Sequence, residues 1–180
     1  MTEHTHAGVT LQLTQGDIAA QTDIEAVVNA ANAQLISGGG VAGAIHRAAG
    51  RGLAEEARPM GPIQPGEVVL TGAHELPNDH VLHALGPVYG RSRAPSDELL
   101  ARCYRDALRL ADEHEIVSVA FPALSTGAFG YPMEEAAHVA FQTVRETLPG
   151  LDHVRTVRFV LYDADALDLH ERVAGDVFGA

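Results

Sequence analysis

Asparagine and glycine crowd into one stretch, Asn29-Ala30-Ala31-Asn32-Ala33-Gln34-Leu35-Ile36-Ser37-Gly38-Gly39-Gly40-Val41-Ala42-Gly43, which follows the apolar Val27-Val28. The three consecutive glycines open a helical pattern, and the first N–H groups of a helix have no intrahelical partner. Such a turn is an anion site. Glycine leaves no Cβ between backbone and ligand, so a phosphate can come within hydrogen-bonding distance of the main chain. A second stretch repeats the device: Phe121-Pro122-Ala123-Leu124-Ser125-Thr126-Gly127-Ala128-Phe129-Gly130-Tyr131-Pro132. It too joins a buried apolar run to a helical pattern. One glycine-rich turn is most often only a turn. Two of them facing each other would hold both phosphates of a diphosphate, with Phe129 closing one end.

Gly38-x-Gly40-x-x-Gly43 also satisfies the spacing of the dinucleotide fingerprint. In that fingerprint the first glycine follows its strand almost directly. Here Asn29 through Ser37 intervene, and no acidic residue ends a following strand at the distance a ribose contact requires. A nicotinamide oxidoreductase is therefore a poor reading. The remaining reactive side chains have plainer accounts. His46 lies one helical turn past the glycines, where packing is a better assignment than proton shuttling. His80 and His83 have metal-like spacing, but residues three apart on a strand point to opposite faces, so no metal is assigned. Cys103 falls on an apolar helix face as a small buried hydrophobe. Asp17 alone would read as a strand end. Asn29 is expected to bond only to backbone in its turn, which leaves Asn32, nearer the glycines, as the better ligand contact.

The elements that must position these loops alternate along the chain. Strands are expected at Val9–Leu13, Ile24–Val28, Val68–Leu70, Val81–Leu85, Ile116–Phe121 and Val157–Leu161, about six in all. Helices are expected over Val41–Arg58, Ser96–Glu113 with Ser96 as N-cap, Met133–Leu148, and Asp165 to about Ala174. Nearly continuous apolar strands between amphipathic helices imply an α/β fold with a mostly parallel sheet covered on both faces. Ligands of such sheets bind beyond the carboxyl ends of the strands, where both glycine loops fall. Residues 8–180 read as one domain, after a flexible polar N-terminus over residues 1–7.

Composition is globular, with 46% hydrophobic and 20% charged residues. No apolar run suits a membrane span, and the polar first residues lack the order of a secretory signal. With a single cysteine there is no internal disulfide framework, and cytoplasmic residence follows as the default. The formal net charge of −12 opposes nonspecific nucleic-acid binding, which depends on Lys and Arg displacing counterions. It does not oppose a diphosphate bound by backbone amides. Oligomeric state is not legible.

Gly16-Asp17-Ile18, Val28-Asn29-Ala30-Ala31-Asn32, Gly38-Gly39-Gly40-Val41, His83-Ala84-Leu85-Gly86-Pro87 and Ser125-Thr126-Gly127-Ala128-Phe129-Gly130 occur in this order. Together they resemble the macro domain series, from about Val9 to Tyr162. The resemblance implies a three-layer α/β/α fold with a central mixed, mostly parallel sheet, and a cleft for ADP-ribose, free or attached to protein. It implies that Asp17 accepts from the adenine amino group, that the Ile18 N–H reads the neighbouring ring nitrogen, and that Tyr162 stacks on the base. Backbone amides of Gly39, Gly40, Val41 and Ala42 and of Ser125, Thr126, Gly127, Ala128 and Phe129 would take the diphosphate. Asn32 would hold the distal ribose and Phe129 pack on it, so that Asn32, Phe129 and Gly40 form the catalytic set. No cofactor is implied.

Gly43-Ala44-Ile45-His46-Arg47-Ala48-Ala49-Gly50 is similar to the MacroD-type hydrolases, in which an aspartate follows the Gly-Gly-Val segment. Here that position is Ala42. Viral macro domains share the Gly-Gly-Gly-Val-Ala segment and include hydrolases. The resemblance therefore implies removal of mono-ADP-ribose from acidic side chains of proteins, with the ligand's phosphate and an ordered water assisting. A non-catalytic reader of ADP-ribosylated proteins and an O-acetyl-ADP-ribose deacetylase are the alternatives.

Overall fold

The computed structural model describes residues 1–179. Seven strands form one mixed sheet: β1 Thr2–His6, β2 Val9–Gln15, β3 Ala26–Ala30, β4 Val68–Gly72, β5 His80–Ala84, β6 Ser118–Phe121 and β7 Thr156–Leu161. Their order is β1-β2-β7-β6-β3-β5-β4. The central pairings are parallel, and only the two outer pairs, β1 with β2 and β4 with β5, run antiparallel. The helices are α1 Gly40–Ala49, α2 Gly52–Ala57, α3 Ser96–Glu113, α4 Met133–Thr147 and α5 Ala164–Phe178.

Strand alternation divides the side chains between two helical layers. Ala26, Val28, Leu82, Val119, Phe121 and Phe159 pack with α3, α4 and α5, where Tyr104, Phe141 and Val173 lie. Val27, Val81, Ala120 and Val160 turn the other way, onto Ile45, Ala49 and Leu53 of α1 and α2 and onto Ile18. The sheet is thus covered on both faces. This matches the expected three layers.

Four details differ from expectation. The polar start is not a free extension: Thr2, His4 and His6 form one half-buried side of β1. The rings of both histidines pack against Phe178 of α5, and Thr2 donates to Glu171. The helix expected over Val41–Arg58 is two helices, because Gly50 turns the chain at φ +79° between α1 and α2. Pro95, not Ser96, occupies the N-cap of α3, and the Ser96 hydroxyl accepts from the Gly90 N–H instead. The last helix runs four residues past Ala174, to Phe178.

Candidate functional site

At the carboxyl ends of β6 and β7, beside the start of α1, lies an open cleft of about 700 Å³. One wall comes from the α1 stripe Gly40, Val41, Ala44 and Arg47, whose spacing puts them on one helix face. Asp17 and Ile18 line it from the turn after β2, Thr126 and Gly127 belong to the second loop, and Tyr162 and Asp163 follow β7.

The Asp17 side is built from a distance. Asp17 caps the 3-10 turn Ile18–Ala20, its Oδ1 accepting from the Ala19 N–H at 2.9 Å. Beneath that turn, the buried Arg158 of β7 donates to Gln12 and Gln21 at 2.9 Å each and makes a two-pronged bond to Asp23 at 2.8 Å. Gln21 in turn donates to the Asp17 carbonyl at 2.8 Å. The Asp23 carboxyl is held below its usual range, chiefly by the bond from Arg158. A buried guanidinium needs this many acceptors to offset its desolvation. The consequence is a fixed height for Asp17 above the sheet.

The first glycine loop is braced from within. The Asn32 amide donates to the Ile36 carbonyl at 2.8 Å while its carbonyl accepts from the Ile36 N–H at 3.1 Å. Buried Leu35, at φ +58°, anchors the same loop beside Ala31, Ile63 and Leu85, with Phe129 packed against this cluster. Gly39 is the N-cap of α1 without any side-chain cap bond, and Gly40 has φ +56°. The first N–H groups of α1 therefore point out of the helix with no side chain to satisfy them. A Cβ on Gly43 would lie 2.5 Å from the Gly38 carbonyl, so glycine there lets the loop fold onto the helix.

The second loop is held as firmly. Ser125 is buried at φ +66° with no hydrogen-bond partner for its hydroxyl. That hydroxyl occupies the space a Cβ on Gly86 would fill, which explains the glycine after Leu85. Tyr104 spans the loop's entry, its hydroxyl donating to the Pro122 carbonyl and accepting from the Leu124 N–H at 3.1 Å. Thr126 donates to the Ala123 carbonyl at 2.8 Å.

Of the residues singled out from the sequence, Asp17, Ile18, Gly40, Val41, Thr126, Gly127 and Tyr162 line the cleft together. Tyr162 is 91% exposed, free to lie on a ligand. Asn32, Gly39, Ala42, Ser125, Ala128 and Phe129 are not among the lining residues: Gly39 and Ala128 adjoin Gly40 and Gly127 in the chain, the Ala42 and Ser125 side chains are buried, and Phe129 packs against the Leu35 cluster. Asn29 corrects its expectation. It sits in β3, not in a turn, and donates to His83 Nδ1 at 3.1 Å. His83 Nε2 meets the Thr71 hydroxyl at 2.9 Å, and that hydroxyl donates to the Gly72 carbonyl. Since the hydroxyl proton is committed to Gly72, His83 carries its proton on Nε2 and is neutral. Burial, and then the neighbouring His46, push its pKa down to about 4. His46 is itself buried, with its ring 6.5 Å from that of His83. Among the described residues no group of three His, Cys, Asp or Glu is disposed to hold a metal. Sequence reasoning missed Arg47 as a cleft residue, although its position one helical turn after Gly43 was the available signal.

Comparison with known proteins fits this geometry. Residues 28–140 match the macro domain family. A macro domain-containing protein of Chlorobaculum tepidum is 43% identical over 164 residues, 91% of this chain and 95% of that protein. An O-acetyl-ADP-ribose deacetylase of Salmonella typhimurium is 43% identical over 167 residues, 91% of this chain and 93% of that protein. Among solved structures, a mutant Oceanobacillus iheyensis macrodomain with ADPR superimposes with a TM-score of 0.94 at 34% identity, covering 99% of both chains. The Trypanosoma brucei macrodomain in complex with ADP-ribose does so at 0.83 and 36% identity, over 92% of this chain and 69% of that one. The match in family, in sequence over nine-tenths of the chain and in fold establishes that this chain belongs to the macro domain family.

Proposed function

We propose that the cleft binds ADP-ribose and that the protein hydrolyses an ester on its distal ribose, releasing ADP-ribose from modified acidic side chains of proteins. The observation that carries this reading is the pair of braced glycine loops beside one cleft that Asp17 also lines. The uncapped start of α1 supplies N–H donors to a diphosphate, and Asp17 keeps one carboxylate oxygen free of its turn for an adenine amino group. By resemblance to the family, the distal ribose is assigned to Asn32 and Phe129. No carboxylate stands at position 42, so water attack relies on orientation and on loop amides stabilising the developing charge. The rate is correspondingly slow.

A second ester has its own support, since the Salmonella typhimurium relative is named an O-acetyl-ADP-ribose deacetylase. The same cleft would present an acetyl ester on the distal ribose to the same water. The test is direct: the protein is incubated with a carrier mono-ADP-ribosylated on glutamate and, separately, with O-acetyl-ADP-ribose, and free ADP-ribose is measured by chromatography. Release from both supports a general ester hydrolase. Capture of the modified carrier without release from either substrate would make the protein a reader.

A further inference from the structure

Arg47 is the one cationic side chain among the residues lining the cleft, and among the described residues it has neither an ion pair nor a hydrogen bond. Both Asp17 and Asp163 line the same cleft, yet neither is paired with it. Other arginines of the chain, such as Arg91 and Arg105, also lack a partner; what distinguishes Arg47 is its place in the cleft and its direction. Side chains on a helix lean toward its N-terminus, and the Arg47 Nη1 lies 3.1 Å from where a Cβ on Gly43 would be. That same point is 2.5 Å from the Gly38 carbonyl. The missing Cβ thus opens a path by which the guanidinium reaches back along α1 to the first glycine loop.

We propose that Arg47 is a specificity-determining residue that contacts the diphosphate of the ligand, adding to the backbone amides of the glycine loop the one side-chain positive charge of the site. This inference rests on the cleft being an ADP-ribose site, though not on any turnover there. A planar guanidinium suits phosphate oxygens, and charged donors give stronger bonds than neutral amides. The remaining groups that attract the diphosphate are uncharged backbone donors. Arg47 therefore carries the part of the affinity that salt screens.

The experiment is calorimetric titration of ADP-ribose into wild type, Arg47→Gln and Arg47→Lys, each at low and high salt, with circular dichroism to verify the fold. Arg47→Gln should bind about tenfold more weakly at low salt. That ratio should shrink toward one when salt is raised from about 20 mM to about 500 mM. Arg47→Lys, which keeps the charge and loses the fork, should fall between the two and keep its salt dependence. Equal affinity of wild type and Arg47→Gln at low salt overturns the proposal, and so does a loss that is the same at both salt concentrations, since packing alone would then account for it. If wild type binds no ADP-ribose, the ligand reading fails and this inference with it; if wild type binds and Arg47→Gln binds equally, only this inference fails.

Discussion

His83 gives the sharpest quantitative test of the structure. It is fully buried, bonded by Asn29 on one nitrogen and by Thr71 on the other, and its pKa is pushed from 6.5 to about 4, first by burial and then by His46. The unfolded chain takes up a proton on this imidazole near 6.5, whereas the folded chain resists until about pH 4. Between those values the unfolded state binds more protons, so stability falls as pH falls. Above pH 6.5 the contribution is complete. At about 1.36 kcal/mol per pH unit, the full interval removes about 3 kcal/mol, a large share of the 5–15 kcal/mol typical of a domain. Urea unfolding followed by circular dichroism from pH 7 to pH 4 would measure it, in wild type and in His83→Gln. The variant is less stable at pH 7, because Gln does not reproduce both bonds, but its stability should decline less steeply by about 3 kcal/mol over the interval. His170, whose value is also lowered by burial, adds the same background slope to both proteins, and the burial that lowers His46 persists in the variant. Parallel curves for the two proteins would refute the assignment of His83 as buried and neutral.

Three further outcomes follow from the cleft and its frame. Asp17→Ala should weaken ADP-ribose binding by about 1–3 kcal/mol in calorimetry, with part of the loss arising because the 3-10 turn loses its cap. Asn32→Ala should lower release of ADP-ribose from a modified carrier by about 10²-fold, more than it weakens binding, since misplacing the reacting ribose costs rate before affinity; equal losses in a paired turnover and binding assay would reduce Asn32 to its brace on Ile36. Cys103 is buried, donates to the Leu85 carbonyl and has its pKa pushed up to about 12, so a thiol reagent should modify it only in denaturant.

The sequence made the loops legible and left their supports hidden, for a physical reason. A glycine run between an apolar strand and a helical pattern announces itself locally, and so Gly38 to Gly43 and Ser125 to Gly130 could be placed without a structure. What fixes those loops is nonlocal. Gln12, Gln21, Asp23 and Arg158 are unremarkable polar residues until β2 and β7 pair and bring Arg158 within reach of the other three. Strand β1 escaped notice because Thr2, His4 and His6 lack apolar side chains; α5, through Phe178 and Glu171, half-buries that face. The break between α1 and α2 was visible as Gly50, but a helical pattern of apolar residues continues across it. Asn29 was misplaced for the opposite reason. Its sequence neighbours suggest a turn, while the parallel partner β5 extends β3 to Ala30 and sets Asn29 opposite His83.

These nonlocal supports bear on how an acidic domain holds an anion. Binding a mobile loop to a diphosphate would spend part of the interaction on ordering the loop. Here the ordering is complete beforehand: Asn32 closes the first loop on Ile36, Gly86 admits the Ser125 hydroxyl under the second, and Tyr104 pins that loop's entry. The donors so arranged are backbone N–H groups, which attract phosphate without a formal charge and keep their direction whatever the surrounding field. A net charge of −12 then slows the approach of the ligand more than it weakens the bound state, apart from the share that Arg47 contributes. The same rigidity would suit the proposed ester cleavage, which has no carboxylate at position 42 to draw on. In that proposed reaction orientation would be the main resource, and Arg158 and Tyr104 would act on it from outside the cleft lining, through the positions of Asp17 and of the second loop.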